Sequence, residues 1–211
     1  MSISVDVFVD LINNYAPNPS VIIEVGAYRG SETQQLKSAF PSARLIAIDG
    51  DPRSYEALLN LQGVEAYNRV ISSRDEAVSF FLKDIHSISG LYDRGVKYPG
   101  TCERFLAEPL KGFCKDNEIS QIDVLKVDAE GSALDILVGL GEMVSCVRIM
   151  HLETEDYPYF SGATGHHTVV RHLINVGFIP IAVAGVVIGA GRQYDSVWVR
   201  EDILDARFRR Q

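Results

Sequence analysis

The chain has 211 residues, 46% of them apolar and 23% charged, with a formal net charge of −8. That length suits one domain with a sizeable core, and the composition excludes a disordered or collagen-like chain. The acidic surplus argues against a nucleic-acid groove or an anionic membrane surface as the main partner.

Val5, Val9 and Ile12 recur at helical spacing, so a helix is expected over Val5 to Tyr15. Ala16-Pro17-Asn18-Pro19 breaks it. Val21 to Val25 is an apolar run ending in glycine, as in a strand buried on both faces of a parallel sheet. Ser31 to Phe40 reads as a helix stopped by Pro41, and Leu45 to Ile48 as the next strand, ending in Asp49-Gly50-Asp51. Pro52 suits the first position of a helix running to Leu61. Val64 to Ile71 and Ala77 to Leu82 are expected as strands.

Lys83 to Thr101 is irregular and rich in Ser, Gly and Tyr, the character of a substrate-facing loop. Beyond it, a helix is expected over Cys102 to Asn117, a strand over Ile122 to Val127, a helix over Ser132 to Leu140 and a strand over Val147 to Leu152. The closing third gives a helix over Thr168 to Val176, then strands over Phe178 to Val183 and Ser196 to Val199 joined through a Gly-rich connection. Arg207-Phe208-Arg209-Arg210 reads as a solvated tail. Strands alternating with helices imply a three-layer α/β sandwich, mostly parallel, with an antiparallel C-terminal strand pair. We read residues 1–211 as a single domain, with 1–20 as lead-in and 83–114 and 153–168 as candidate acceptor-site segments.

The three cysteines, Cys102, Cys114 and Cys146, show no C-x-x-C spacing and read as reduced thiols. No Lys or Arg precedes Arg29, so the basic start of a signal peptide is missing. The longest uncharged stretch, Ile179 to Gly191, is too short to span a bilayer. A cytoplasmic protein is expected, without a membrane partner.

Chemistry in an open parallel sheet belongs outside the carboxyl ends of the strands, where strand order reverses. Glu24-Val25-Gly26-Ala27-Tyr28-Arg29-Gly30 offers a tight turn and a helix N-terminus there, although not the G-x-G-x-x-G spacing of dinucleotide folds. Asp49 ends the next strand about 20 residues on, where an acidic side chain accepts both hydroxyls of a ribose. Asp51 caps the following helix better, which leaves Asp49 for a ligand. Lys126, inside the run Ile122 to Val127, needs a partner such as Glu130 or Glu24.

These residues resemble the FkbM-type methyltransferases, a branch of the class I S-adenosylmethionine-dependent enzymes. The family's D-V-G-A-N-x-G-x-x-T is similar to Glu24 through Thr33, its E-P-N-P to Asp49-Gly50-Asp51-Pro52, and its D-x-L-K-I-D-V-E-G-A-E to Asp123 through Ala133. The glutamate closing its next strand is matched by Glu153. Tyr28 stands where the family has Asn, Gly50 where it has Pro, and Ala133 where Glu is common. The resemblance implies a Rossmann-like fold with S-adenosyl-L-methionine across the strand ends. It assigns cofactor contacts to Glu24, Gly26, Ala27, Tyr28, Gly30, Thr33, Asp49, Gly50, Ser87 and Asp128.

Methyl transfer to an alcohol also requires a base or a metal. Asp128, Glu153, His166 and His167 are the catalytic candidates, with Glu155 and Asp156 as further acidic groups. Two or three of the carboxylates could hold Mg²⁺, a reading we do not favour from sequence. His151, inside an apolar strand, reads as a satisfied core histidine, and Tyr157, Tyr159 and Phe160 as an aromatic wall or core. The expected activity is O-methylation of a small-molecule or sugar-bearing acceptor, with a homo-oligomer left open. A non-catalytic nucleotide-binding protein and an NAD-binding oxidoreductase are the rivals.

Overall fold

A computed structural model describes residues 2–156, 161–188 and 191–208. Tyr157, Tyr159, Phe160, Arg209 and Arg210, singled out above, lie outside the described residues. The main sheet has seven strands: β1 (Val21–Val25), β2 (Arg44–Asp49), β3 (Val64–Asn68), β7 (Ile122–Val127), β8 (Val147–Glu155), β9 (Phe178–Ile188) and β10 (Gly191–Arg200). Their order is β3-β2-β1-β7-β8-β10-β9. The first five run parallel; β10 is antiparallel to both β8 and β9. Strand order reverses at β1, which pairs β2 on one side and β7 on the other.

Alternation along the strands divides the core between the two faces of the sheet. Ile23, Ile46, Leu125 and Met150 face a cluster built with Leu110, Phe113, Ile136, Leu137 and Leu173. Those last residues come from α4 (Leu110–Asp116), α5 (Ala133–Leu140) and α6 (His166–Asn175). Ile22, Leu45, Val124 and Ile149 face the opposite cluster, with Phe8 and Ile12 of α1 (Val5–Tyr15) and Leu36 of α2 (Ser31–Ala39). This is the three-layer arrangement expected from the pattern.

Asp51 caps α3 (Pro52–Leu58) as expected, accepting from the Arg53 N–H at 2.9 Å, and Pro52 opens the helix.

Four expectations need correction. Cys102 to Asn117 is not one helix: Gly100–Pro109 is a strand, β6, and only Leu110–Asp116 is helical. β6 pairs antiparallel with β5 (Glu76–Lys83), and parallel with β4 (Val70–Ser72), as a separate three-stranded sheet. Val64 to Ile71 is likewise two strands in two sheets, because the Asn68 amide donates to the Asp49 and Gly50 carbonyls and pins the chain between them. The C-terminal strands extend through most of the expected Gly-rich connection, to Ile188 and from Gly191. Finally, Glu201–Phe208 is a helix, α7, so Arg207 and Phe208 of the expected tail are helical.

The loop after β5 is fastened at both ends. Lys83, buried, donates to Asp93 at 2.5 Å and to the Tyr98 carbonyl at 2.9 Å, while Arg53 donates to the Lys83 carbonyl at 2.8 Å. The segment is thereby laid beside the carboxyl ends of β1 and β2. Among the described residues, no helix is long and apolar enough to cross a membrane.

Candidate active site

β1 ends in a turn whose geometry only glycine permits. Gly26 has φ +83°, and a Cβ there would lie 1.9 Å from the Asp128 carbonyl oxygen, so the β1 and β7 exits touch backbone to backbone. The Gly26 and Ala27 N–H groups donate to the Ile48 carbonyl at 2.9 and 3.2 Å. Tyr28 follows with φ +49°, a left-handed conformation that Asn adopts more readily than an aromatic residue. Its N–H donates to Asp49 Oδ2 at 2.8 Å, and Asp49 Oδ1 accepts the Asp51 N–H at 2.8 Å. Asp49 is therefore not a free side chain, as the sequence suggested. It is held by one backbone donor on each oxygen, which leaves a lone pair on each for a ligand. Burial pushes its carboxyl up to about 7, against the pull of the two N–H groups and helped by the charges of Asp51 and Glu24.

Gly26, Tyr28, Asp49 and Gly50 line a cleft with Ser87, Asp128 and Glu130. Gly50 stands in its wall: a Cβ there would fall 2.7 Å from the Phe80 ring, another lining residue, so Phe80 occupies space that a Pro would need. Ala27, Gly30, Glu24 and Thr33 do not line this cleft. Ala27 and Gly30 support the turn through a 2.8 Å backbone hydrogen bond. Thr33, fully buried, donates its hydroxyl to Glu24 at 2.5 Å, and Glu24 accepts from Lys126 at 3.0 Å on its other oxygen. Lys126 thus pairs with Glu24, and also with Glu32 at 2.7 Å, not with Glu130. Burial lowers the Lys126 pKa, but Glu24, Asp128 and Glu32 outweigh it and raise it overall.

A second cleft meets the first at Asp128 and is lined by Ser2, Ile3, Glu32, Lys126, His151, Glu153 and Asp195. His151 is not a satisfied core histidine. Among the described residues neither ring nitrogen has a hydrogen-bond partner, and Nε2 lies 3.5 Å from Asp195 Oδ1. Glu153 is pushed up to about 10, first by burial and then by Asp128, Glu130, Glu155 and Asp195. Glu130 rises to about 8 by burial, although Arg94 pairs with it at 2.6 Å. The cluster surrounding the junction of the clefts is strongly acidic.

His166 and His167 line neither cleft. The His166 Nδ1 lies 2.8 Å from Thr154 Oγ1, and its ring stacks on Tyr194 at 4.0 Å. His167 is exposed, 3.8 Å from Asp156. Asp156 itself accepts the Tyr194 hydroxyl at 2.7 Å. The lining residues Phe80, Arg69 and Leu91 were missed because they come from the second sheet, its loop and the link that joins it to β3.

A family model described as the methyltransferase FkbM domain matches residues 24–180. Among curated proteins, the 2-O-methyltransferase NoeI of Sinorhizobium fredii is 21% identical over 69% of this chain and 67% of its own length. Methyltransferase sdnD of Sordaria araneosa is 29% identical over 62% of this chain and 64% of its own. The match thus spans about two thirds of each relative. Among solved structures, M. capricolum TrmK, determined with S-adenosyl-homocysteine, superposes with a TM-score of 0.55 at 12% identity, over 95% of this chain and 69% of that one. That likeness shows the fold.

Proposed function

The chain belongs to the FkbM methyltransferase family, and from that premise we propose that it transfers a methyl group from S-adenosylmethionine to a hydroxyl of a small or sugar-bearing molecule. The observation that carries the cofactor assignment is the cleft at the β1, β2 and β7 ends, with Asp49 fixed at its wall by two backbone donors. Asp49 accepts the ribose hydroxyls on its remaining lone pairs. The β1 turn brings backbone beneath the methionine part, Gly50 and Phe80 flank the nucleoside, and Ser87 contributes from the loop above. S-adenosyl-homocysteine in the similar TrmK fold supports the same occupant here.

The sulfonium is cationic, and the acidic residues where the clefts meet, Asp128 and Glu130 among them, favour it electrostatically. Methyl transfer is an in-line displacement, so holding the acceptor oxygen against the methyl carbon supplies much of the acceleration. The second cleft, joined to the first at Asp128, is the acceptor's place. There Asp128 stands ready to take the hydroxyl proton, while Glu153, its carboxyl pushed up to about 10, keeps its own proton at neutral pH and donates to the acceptor; His166 and His167 lie outside both clefts. The polar lining of the second cleft and the names of the O-methylating and methylating relatives support a hydroxylated acceptor.

The test is transfer of label from methyl-labelled S-adenosylmethionine to a panel of hydroxylated metabolites and saccharides, with the product's linkage read by mass spectrometry. O-methyl products that disappear in Glu153→Ala are expected. Label found only on nitrogen would overturn the hydroxyl assignment.

A further inference from the structure

We propose that Asp128, Glu130 and Glu153 form a binding site for one divalent, oxygen-preferring cation where the two clefts meet. One carboxylate oxygen from each lies within 4.8 Å of the other two. Cations of the Mg²⁺, Mn²⁺ and Ca²⁺ class hold oxygen ligands at about 2.0–2.6 Å, so ligands on opposite sides stand about 4–5 Å apart. The groups meet because β7 and β8 are adjacent and in register: Val127 pairs Leu152, and Asp128 and Glu153 each follow by one residue. Glu130 arrives from the turn after β7, in a left-handed conformation at φ +47°.

Two further observations point to a missing positive charge. Glu153 has no hydrogen-bond donor or ion-pair partner among the described residues. Glu155, only 5% exposed, lies two residues further along β8, on the same face of the strand, and its Oε1 has no hydrogen-bond partner among the described residues. Its charge acts on both Glu130 and Glu153. A buried carboxylate oxygen left without a partner is costly, and here Asp128, Glu130 and Glu153 all interact with its charge. The cations at hand answer only part of the cluster, Arg94 acting on Glu130 and Glu155. Arg94 engages Glu130 at 2.6 Å, and Lys126 reaches Asp128 only at 3.8 Å, being closer to Glu24 and Glu32.

The donors are all oxygen, which selects hard cations over Zn²⁺ or Cu²⁺. Three protein ligands leave positions open toward the second cleft. A hydroxyl bound there loses its proton more easily and is fixed in place. That catalytic use rests on the methyltransferase reading; the existence of the site does not.

The experiment is a Mn²⁺ titration of the full chain, stripped of metal with EDTA and dialysed, with free ion read by electron paramagnetic resonance. One Mn²⁺ per chain is expected, displaced by excess Mg²⁺ or Ca²⁺. Glu153→Gln weakens it at least about tenfold, and Glu56→Gln, an exposed carboxylate elsewhere, leaves it unchanged. Glu153→Gln should melt no lower than the parent, because Gln keeps the shape of a carboxyl that burial and its acidic neighbours hold protonated when no metal is bound. A folded Glu153→Gln variant that binds Mn²⁺ as the parent does overturns the site. So does a parent protein that binds none at millimolar Mn²⁺, which would mean that protons neutralise the cluster. The parent titration decides even if the variant does not fold. S-adenosylhomocysteine binding, measured separately, fails or succeeds independently and judges the cofactor assignment alone.

Discussion

Asp49 carries more of the account than any other side chain, because a carboxyl held near its titration point makes binding depend on pH. Burial raises it to about 7, so it is ionised above that pH and protonated below. Ribose hydroxyls donate to the ionised form. Affinity for S-adenosylhomocysteine is therefore expected to fall about tenfold between pH 8 and pH 6, following the ionised fraction. Asp49→Asn should bind weakly and lose that dependence. Asp49 was legible because its position, at the end of a strand and about 20 residues after the glycines, reports its task directly. Its two backbone donors were not, since they depend on how the Tyr28 and Asp51 turns close. Gly26 is the other residue on which the site depends. Gly26→Ala drives a Cβ into the Asp128 carbonyl and strains a positive φ. A loss of about 3 kcal/mol by urea unfolding is expected, together with loss of the ligand-induced rise in melting temperature.

Among the elements, β7 shows how a charge inside a strand is made tolerable. Lys126, 4% exposed, sits between Glu24 of β1 and Glu32 of α2, so one ammonium ties two strands and a helix together. Lys126→Met leaves the Glu24 carboxylate buried with only the Thr33 hydroxyl. It should cost about 3–5 kcal/mol, and Glu24→Gln combined with Lys126→Met should cost less than Lys126→Met alone. Urea unfolding of the two variants beside the parent measures the difference. Element identity was readable wherever one period held throughout, as in β1, β2, β7 and α5. It failed at Cys102 to Asn117, where Pro109 was the neglected signal. A proline in the middle of a helix removes a hydrogen bond and clashes with the preceding turn, and here it marks the junction of β6 with α4. β6 also owes its strand state to pairing with β5, a partner the local pattern does not name.

At the scale of the whole molecule, the net charge of −8 is unevenly placed. Asp49, Asp128 and Glu130 line one cleft, and Asp128, Glu153, Glu32 and Asp195 the other. The parallel order could be read from alternating strands and helices, and the strand-end motifs marked the cofactor cleft. The acceptor side could not be read in the same way. Its neighbours come together only when the sheet closes: Arg94 on Glu130, and His151 beside Asp195 across the β8–β10 pair. The most direct test of the central claim is calorimetric titration of the full chain with S-adenosylhomocysteine at pH 8, beside Asp49→Asn. One ligand per chain is expected, bound at least about tenfold more weakly by the variant. No heat at millimolar ligand, or equal binding by the two proteins, would contradict it.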